Sequence, residues 1–173
     1  VEVRGEAYME RAAFARLNKK REEEGLSVFM NPRNSTAGSL KMQDPRDVAQ
    51  RPIRFFAFDA LFEDELQPTQ LEKVALLREF GLPVSDYHKV CTEIEEVHQV
   101  IAEWDDLRHS LPYDTDGVVI KINETSLREQ LGRTSKFPRW AIAYKFEAEQ
   151  ATTVLKKITL QVGRLGSITP VAE

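Results

Sequence analysis

With 173 residues, 42% of them hydrophobic and 30% charged, the chain has material for one domain, or one and a part, with a real core. No apolar run approaches the roughly 18 residues needed to cross a bilayer. Val1-Glu2-Val3-Arg4 lacks the charged-then-apolar pattern of a signal peptide, so a cytoplasmic setting without a membrane partner is expected. A single cysteine, Cys91, excludes an internal disulfide or a multi-cysteine zinc site and is expected to be a small buried hydrophobe. The net charge of -4 speaks against a strongly basic nucleic-acid surface but leaves room for local cationic contacts to phosphates.

Val1 to Tyr8 is predicted to be a strand, and it starts without a turn or cap ahead of it, as a fragment would. A helix is expected from Glu10 to Glu24, with Phe14 and Leu17 toward the core, Lys19, Lys20 and Arg21 outside, and Gly25 ending it. Asn31 to Pro45 has little apolar periodicity and many side chains that cap backbones. It reads as an ordered loop or a helix start, and its two cations, Arg33 and Lys41, suit an anion. Ile53 to Leu61 is predicted to be a strand that sends Phe55, Phe56, Phe58 and Leu61 into the core. Leu71, Val74, Leu77 and Phe80 mark one stripe of a helix from Thr69 to Phe80, closed by Gly81 and Pro83. Thr92 and Glu95 have capping-box spacing at the start of a further helix through Ile94, Val97, Ile101, Trp104 and Leu107. Both stripes are read as packing surfaces. A short helix is expected around Leu127 to Leu131. After Gln150, the alternation from Val154 to Arg164 suits a strand entering a Gly163/Gly166 turn, the opening of a second domain. Neither an internal repeat nor a low-complexity tract is present.

The most informative segments are Asp116-Gly117-Val118-Val119-Ile120-Lys121 and Trp140-Ala141-Ile142-Ala143-Tyr144-Lys145-Phe146. Their period of two marks strands, because successive side chains point to opposite faces. Val118, Ile120 and Ile122 are expected inward, with Lys121 beside Val119 on the other face. Trp140, Ile142, Tyr144 and Phe146 are expected to fill a core, while Ala141 and Ala143 leave open space beside Lys145 for a ligand. A strand lysine ordinarily lies on an edge or a solvated face. Two ammonium groups on neighbouring strands also suit a bound phosphate.

These segments, together with Glu2-Val3-Arg4-Gly5-Glu6, resemble the third, fourth and fifth motifs of covalent nucleotidyltransferases, the superfamily of DNA ligases, RNA ligases and capping enzymes. Asn31-Pro32-Arg33-Asn34 with Ala37-Gly38-Ser39-Leu40, and Gln161-Val162-Gly163-Arg164 with Thr169-Pro170-Val171-Ala172, narrow the resemblance to bacterial NAD-dependent DNA ligase. It implies an α+β nucleotidyltransferase fold, the ATP-grasp-like adenylation fold of DNA ligases, with antiparallel sheets and flanking helices and truncated at its amino-terminal side. Residues 1–150 would be a partial adenylation domain, and residues 151–173 a connection and the first strand of an oligonucleotide-binding (OB-fold) barrel. The implied partners are NAD as adenylyl donor, Mg²⁺ and nicked duplex DNA, in replication and repair near the nucleoid. The parent would be a monomer, and zinc would belong only to a family domain outside this chain.

By the same resemblance Lys121 and Lys145 contact the AMP phosphate, with Val119 beside the nucleotide. Glu6 holds the ribose hydroxyls or supports a metal-bound water, and Asp116 helps organise the same region. Mg²⁺ keeps several waters, so neither acid need be a direct ligand. Arg33 and Arg108 are implied near the nucleotide, Lys41 near a phosphate, and Arg164 at DNA or in later steps. Each also has a plain structural reading: a turn aspartate before Gly117, a surface glutamate, or helix-terminal and surface cations. Three features depart from the family pattern. No Lys-x-Asp-Gly nucleophile motif occurs, so the chain is not expected to become adenylated by itself. Lys41 stands where arginine is commoner and lacks its planar fork. Leu165 stands where the barrel turn usually has threonine. The alternatives are an ATP-using ligase or capping-type transferase, and a nucleotide- or DNA-binding remnant without catalysis.

Overall fold

The computed structural model describes residues 1–62, 68–147 and 152–173. The chain runs through β1 (Glu2–Tyr8), α1 (Arg11–Glu23), α2 (Pro32–Leu40), α3 (Pro45–Ala49), β2 (Arg54–Leu61), α4 (Gln70–Glu79) and α5 (Ile94–Leu107). A 3₁₀ turn (Arg108–Ser110) then leads to β3 (Gly117–Lys121), α6 (Thr125–Leu131), β4 (Ala141–Lys145), β5 (Ile158–Val162) and β6 (Ile168–Ala172). The described strands form three antiparallel pairs, β1 with β2, β3 with β4 and β5 with β6, a mixed helix-and-strand arrangement compatible with the α+β class. No helix among the described residues is long and apolar enough to cross a membrane.

The β1–β2 ladder slips between Arg4 and Gly5, where Arg4 faces Asp59 but Gly5 faces Ala57, leaving Phe58 as an extra residue in β2. Such a bulge breaks the alternation of faces. It explains why Ala57 and Ala60, three apart, are both buried against Leu77 of α4, whereas Phe55, Phe58 and Leu61 remain exposed. Assigning those three residues to the core is therefore corrected, and Phe56 is half-buried, stacked on Tyr8 with ring centroids 4.6 Å apart. A β-carbon on Gly5 would run into the Phe55 ring and the Phe56 carbonyl, so the close approach of the two strands requires glycine there.

Thr69 caps α4 in a complete box with Glu72. Of the expected stripe only Leu77 is fully buried, and Leu71 and Phe80 are exposed. At α5 the spacing misleads. Glu93 is the N-cap, and Glu96 rather than Glu95 reaches back, accepting from the Thr92 N–H at 2.6 Å and the Thr92 hydroxyl at 3.2 Å. No residue of α5 is fully buried, and Trp104 meets the edge of Tyr87 at 5.5 Å. In α1 Ala13 is buried, with Phe14 and Leu17 half-buried. Cys91 is half-buried rather than buried.

The segment read as a loop or helix start is a nine-residue helix. Asn31 caps it by accepting from the Asn34 N–H at 2.8 Å, and Pro32 opens it with a preset φ. Its buried face is polar: Ser39 donates to the Ser35 carbonyl at 2.7 Å and Thr36 to that of Pro32 at 2.8 Å, so these two inward hydroxyls carry their own acceptors, while the buried Ser35 hydroxyl has no hydrogen-bond partner among the described residues.

In the β3–β4 ladder Gly117 faces Lys145, Val119 faces Ala143 and Lys121 faces Ala141. A β-carbon on Gly117 would meet the backbone of Tyr144 and Lys145. Trp140 and Phe146 are half-buried beneath guanidinium groups, Arg128 at 4.4 Å and Arg108 at 4.9 Å. Ile142 and Tyr144 are 66% and 46% exposed, which corrects their assignment to a core: the ladder is only two strands wide, and this apolar face stays largely open. Beyond residue 151 the chain forms a hairpin of two strands rather than one, with Pro170 of β6 facing Leu160 of β5. The expected boundary at Gln150 lies outside the described residues.

Candidate functional site

Lys121 and Lys145 share one face of the β3–β4 ladder, because residues directly opposite in an antiparallel pair point the same way. They stand at its opposite ends. Four residues of register separate them, about 14 Å at a rise of about 3.4 Å per residue. At the Lys145 end a cleft of about 470 Å³ opens between the start of α1, the 3₁₀ turn and the residues flanking the ladder. Arg11, Arg108, Asp116 and Lys145 line it, with Phe146 in its wall.

Two contacts order this cleft. Arg33 reaches from α2 to the Asp116 carboxylate at 2.5 Å, joining the Asn-Pro-Arg-Asn segment to the residue that leads into β3. Arg108 lies over the Phe146 ring, donates from Nε to the Asp105 backbone carbonyl at 3.3 Å and pairs with the Asp105 carboxylate at 3.0 Å; only 18% of its side chain is exposed. Arg108, Asp116 and Lys145, all singled out in the sequence, thus line one cleft, and Arg33 reaches it through Asp116. Arg11, Arg108 and Lys145 line the cleft beside three acids, Asp114, Asp116 and Glu147, of which Asp114 is paired with Arg11 and Asp116 with Arg33.

The other candidates lie elsewhere. Lys121 is half-buried, its Nζ 4.7 Å from the centre of the Phe58 ring. Burial holds its ammonium below the ordinary lysine value, Asp59 nearby opposes that drop, and Arg128 adds to it. Val119 is exposed, between the two lysines on their shared face. Glu6 is exposed and faces Phe56 across the ladder. The rings of Tyr8, Phe56 and Tyr113 gather beside it, with centroids 4.6 to 5.6 Å apart, tying Glu6's strand to the segment that delivers Asp116. Burial raises the phenols of Tyr8 and Tyr113 above their ordinary value. Lys41 is the exposed C-cap of α2, and Arg164 is exposed in the turn after β5.

Arg11 escapes a reading of the sequence, in which it is one more charged residue at a helix start. Its Nε donates to Asp114 at 2.7 Å, and its remaining donors face the carbonyls of Arg108, His109 and Tyr113. No sequence signal marks this, because the partners lie about a hundred residues away along the chain.

Among the described residues no group of three or more His, Cys, Asp or Glu side chains could hold a metal ion. Asp116 is engaged by Arg33, and Glu6 stands on a different ladder.

Comparison with known proteins bears on this geometry. Residues 1–149 match the model of the NAD-dependent DNA ligase adenylation domain. A DNA ligase from Chlorobaculum tepidum is 51% identical over 173 residues, covering all of this chain and 25% of that relative. A DNA ligase from Halothermothrix orenii is 50% identical and one from Cytophaga hutchinsonii 47%, each match covering 99% of this chain and 26% of the relative. The chain thus spans about a quarter of the length of the curated relatives it matches.

Proposed function

This chain belongs to the family of NAD-dependent DNA ligase adenylation domains, and from that premise we propose that it supplies part of the nucleotide cleft of a ligase that seals nicks in duplex DNA. The observation that carries the reading is the convergence of Arg108, Lys145 and the Arg33–Asp116 pair on one cleft. Phosphoryl transfer depends chiefly on positioning and on stabilising charge at the phosphate, which is what fixed cations beside an open volume provide.

In the proposed reaction a lysine attacks the adenylyl phosphorus of NAD and nicotinamide mononucleotide leaves. The AMP then passes to the 5′-phosphate at a nick, and the 3′-hydroxyl displaces it. Lys145 and Arg108 take the phosphate charge of the donor, and Lys121 acts from the far end of the ladder with Val119 between. Glu6 orients the ribose, and Arg33 holds Asp116 in place. Lys41 adds a phosphate contact, and Arg164 a contact to DNA from the hairpin that begins the OB-fold barrel. The nucleophile is contributed by another part of the full-length protein, since no Lys-x-Asp-Gly occurs here. NAD supplies the activated adenylyl group. Mg²⁺ belongs to the reaction mixture, and any link to Glu6 or Asp116 runs through water.

Mass spectrometry after incubation with NAD and Mg²⁺ tests this. The full-length protein is expected to gain a covalent AMP, and this chain alone is not. An adduct with ATP in place of NAD would favour an ATP-using transferase, an adduct on this chain would mean that the nucleophile lies within it, and none on either would favour a binding remnant.

A further inference from the structure

We propose that Arg11 is a positioning residue of the nucleotide cleft, holding residues 108–114 so that Arg108 and Asp116 meet the adenylyl donor already oriented; this rests on the cleft reading above. Arg11 is the first residue of α1, and it grips that segment through both backbone and side chain. Its N–H donates to the Pro112 carbonyl at 2.8 Å. From the side chain, Nε donates to the Asp114 carboxylate at 2.7 Å and Nη2 to the Tyr113 carbonyl at 3.2 Å, with longer contacts of 3.4 Å to the carbonyls of Arg108 and His109. The segment it grips carries Arg108 at one end and runs into Asp116 and β3 at the other.

Only a guanidinium offers five donors in a fixed planar fork, enough to serve several acceptors together, whereas a lysine ammonium is a single compact point. Because the Arg11 donors already face protein acceptors, its part is to orient its neighbours rather than to touch the donor itself. The pair with Asp114 is about half exposed on both sides, and exposed ion pairs contribute little to global stability. Loss of the grip should therefore register as poorer donor binding, through lost preorganisation, more than as unfolding.

The test is nick sealing by the full-length ligase at varied NAD and saturating nicked DNA, with adduct formation followed alongside, comparing wild type with Arg11→Ala, Arg11→Lys and, as control, the exposed α1 variant Arg16→Ala. Arg11→Ala and Arg11→Lys are both expected to raise KM for NAD about tenfold with kcat changed less than about threefold, at unchanged melting temperature. Arg16→Ala is expected to match wild type. An unchanged KM in Arg11→Ala, full rescue by Arg11→Lys, or a KM change matched by falls in kcat and melting temperature would each overturn the proposal. If wild type itself forms no adduct with NAD, the cleft reading fails and this inference with it; an active wild type beside indifferent variants sinks this inference alone.

Discussion

Lys145 and Lys121 occupy the two ends of one antiparallel ladder and point to the same face, yet their surroundings have little in common. Lys145 is exposed on the wall of a cleft that also holds Arg108 and Asp116. Lys121 is half-buried over the Phe58 ring, with Asp59 and Arg128 close enough to bias its charge. The contrast teaches that a shared strand face does not make a shared site. Register sets how far apart two lysines stand, and packing around each end sets whether the ammonium keeps its water.

The largest expected effect would break the comparison at its functional end. Lys145→Ala in the full-length protein is expected to slow adenylation or sealing more than tenfold, about 1.4 kcal/mol of barrier. Lys121→Ala is expected to cross the same threshold in a single-turnover assay. Loss in Lys145→Ala alone would confine the phosphate contact to the cleft end, and near-normal rates in both would remove both assignments.

A second prediction concerns the ladder that joins the two ends. Gly117→Ala places a methyl group against the Tyr144 carbonyl and the Lys145 Cα, backbone that cannot swing aside. About 1–3 kcal/mol of destabilisation is expected in denaturant unfolding of the full-length protein. Gly38→Ala is the counterpart: the site is open and helical, so a gain of about 0.5–1 kcal/mol is expected. Equal behaviour of the two variants would mean that β3 and β4 separate more easily than their register suggests.

The smallest effect sharpens the buried end. Burial lowers the folded-state pKa of Lys121 below the ordinary 10.5, so in the window beneath that value the unfolded chain binds more protons than the folded one. Stability therefore rises with pH through the window. Lys121→Met should remove this rise, leaving a variant more stable than the parent near neutral pH whose advantage shrinks toward the upper end of the window. Parallel stability curves for parent and variant would show that Lys121 stays fully hydrated.

Legibility of the fold followed the range of the interactions that set each element. The box between Thr69 and Glu72 was readable because both partners sit within one turn, whereas at α5 the same kind of spacing pointed to Glu95 while Glu96 makes the bond. α2 was hard to read as a full helix because it buries serine and threonine rather than leucine, leaving no apolar stripe to follow. The aromatic residues of β2 misled for another reason. A bulge set by pairing with β1 changed which residues face α4, and that pairing spans some fifty residues.

By itself the sequence determined the family motifs, the period-two strands that each carry a lysine, Lys121 or Lys145, opposite their bulky apolar residues, and the chemistry that those residue types can perform, since all of these depend on neighbours a few positions away. Only the tertiary structure decided that Arg33 meets Asp116, that Arg11 grips residues 108–114, and that the two lysines stand at opposite ends of their ladder. Strand register and side-chain hydrogen bonds between distant segments arise when remote parts of the chain come together, and no local pattern records which parts those will be.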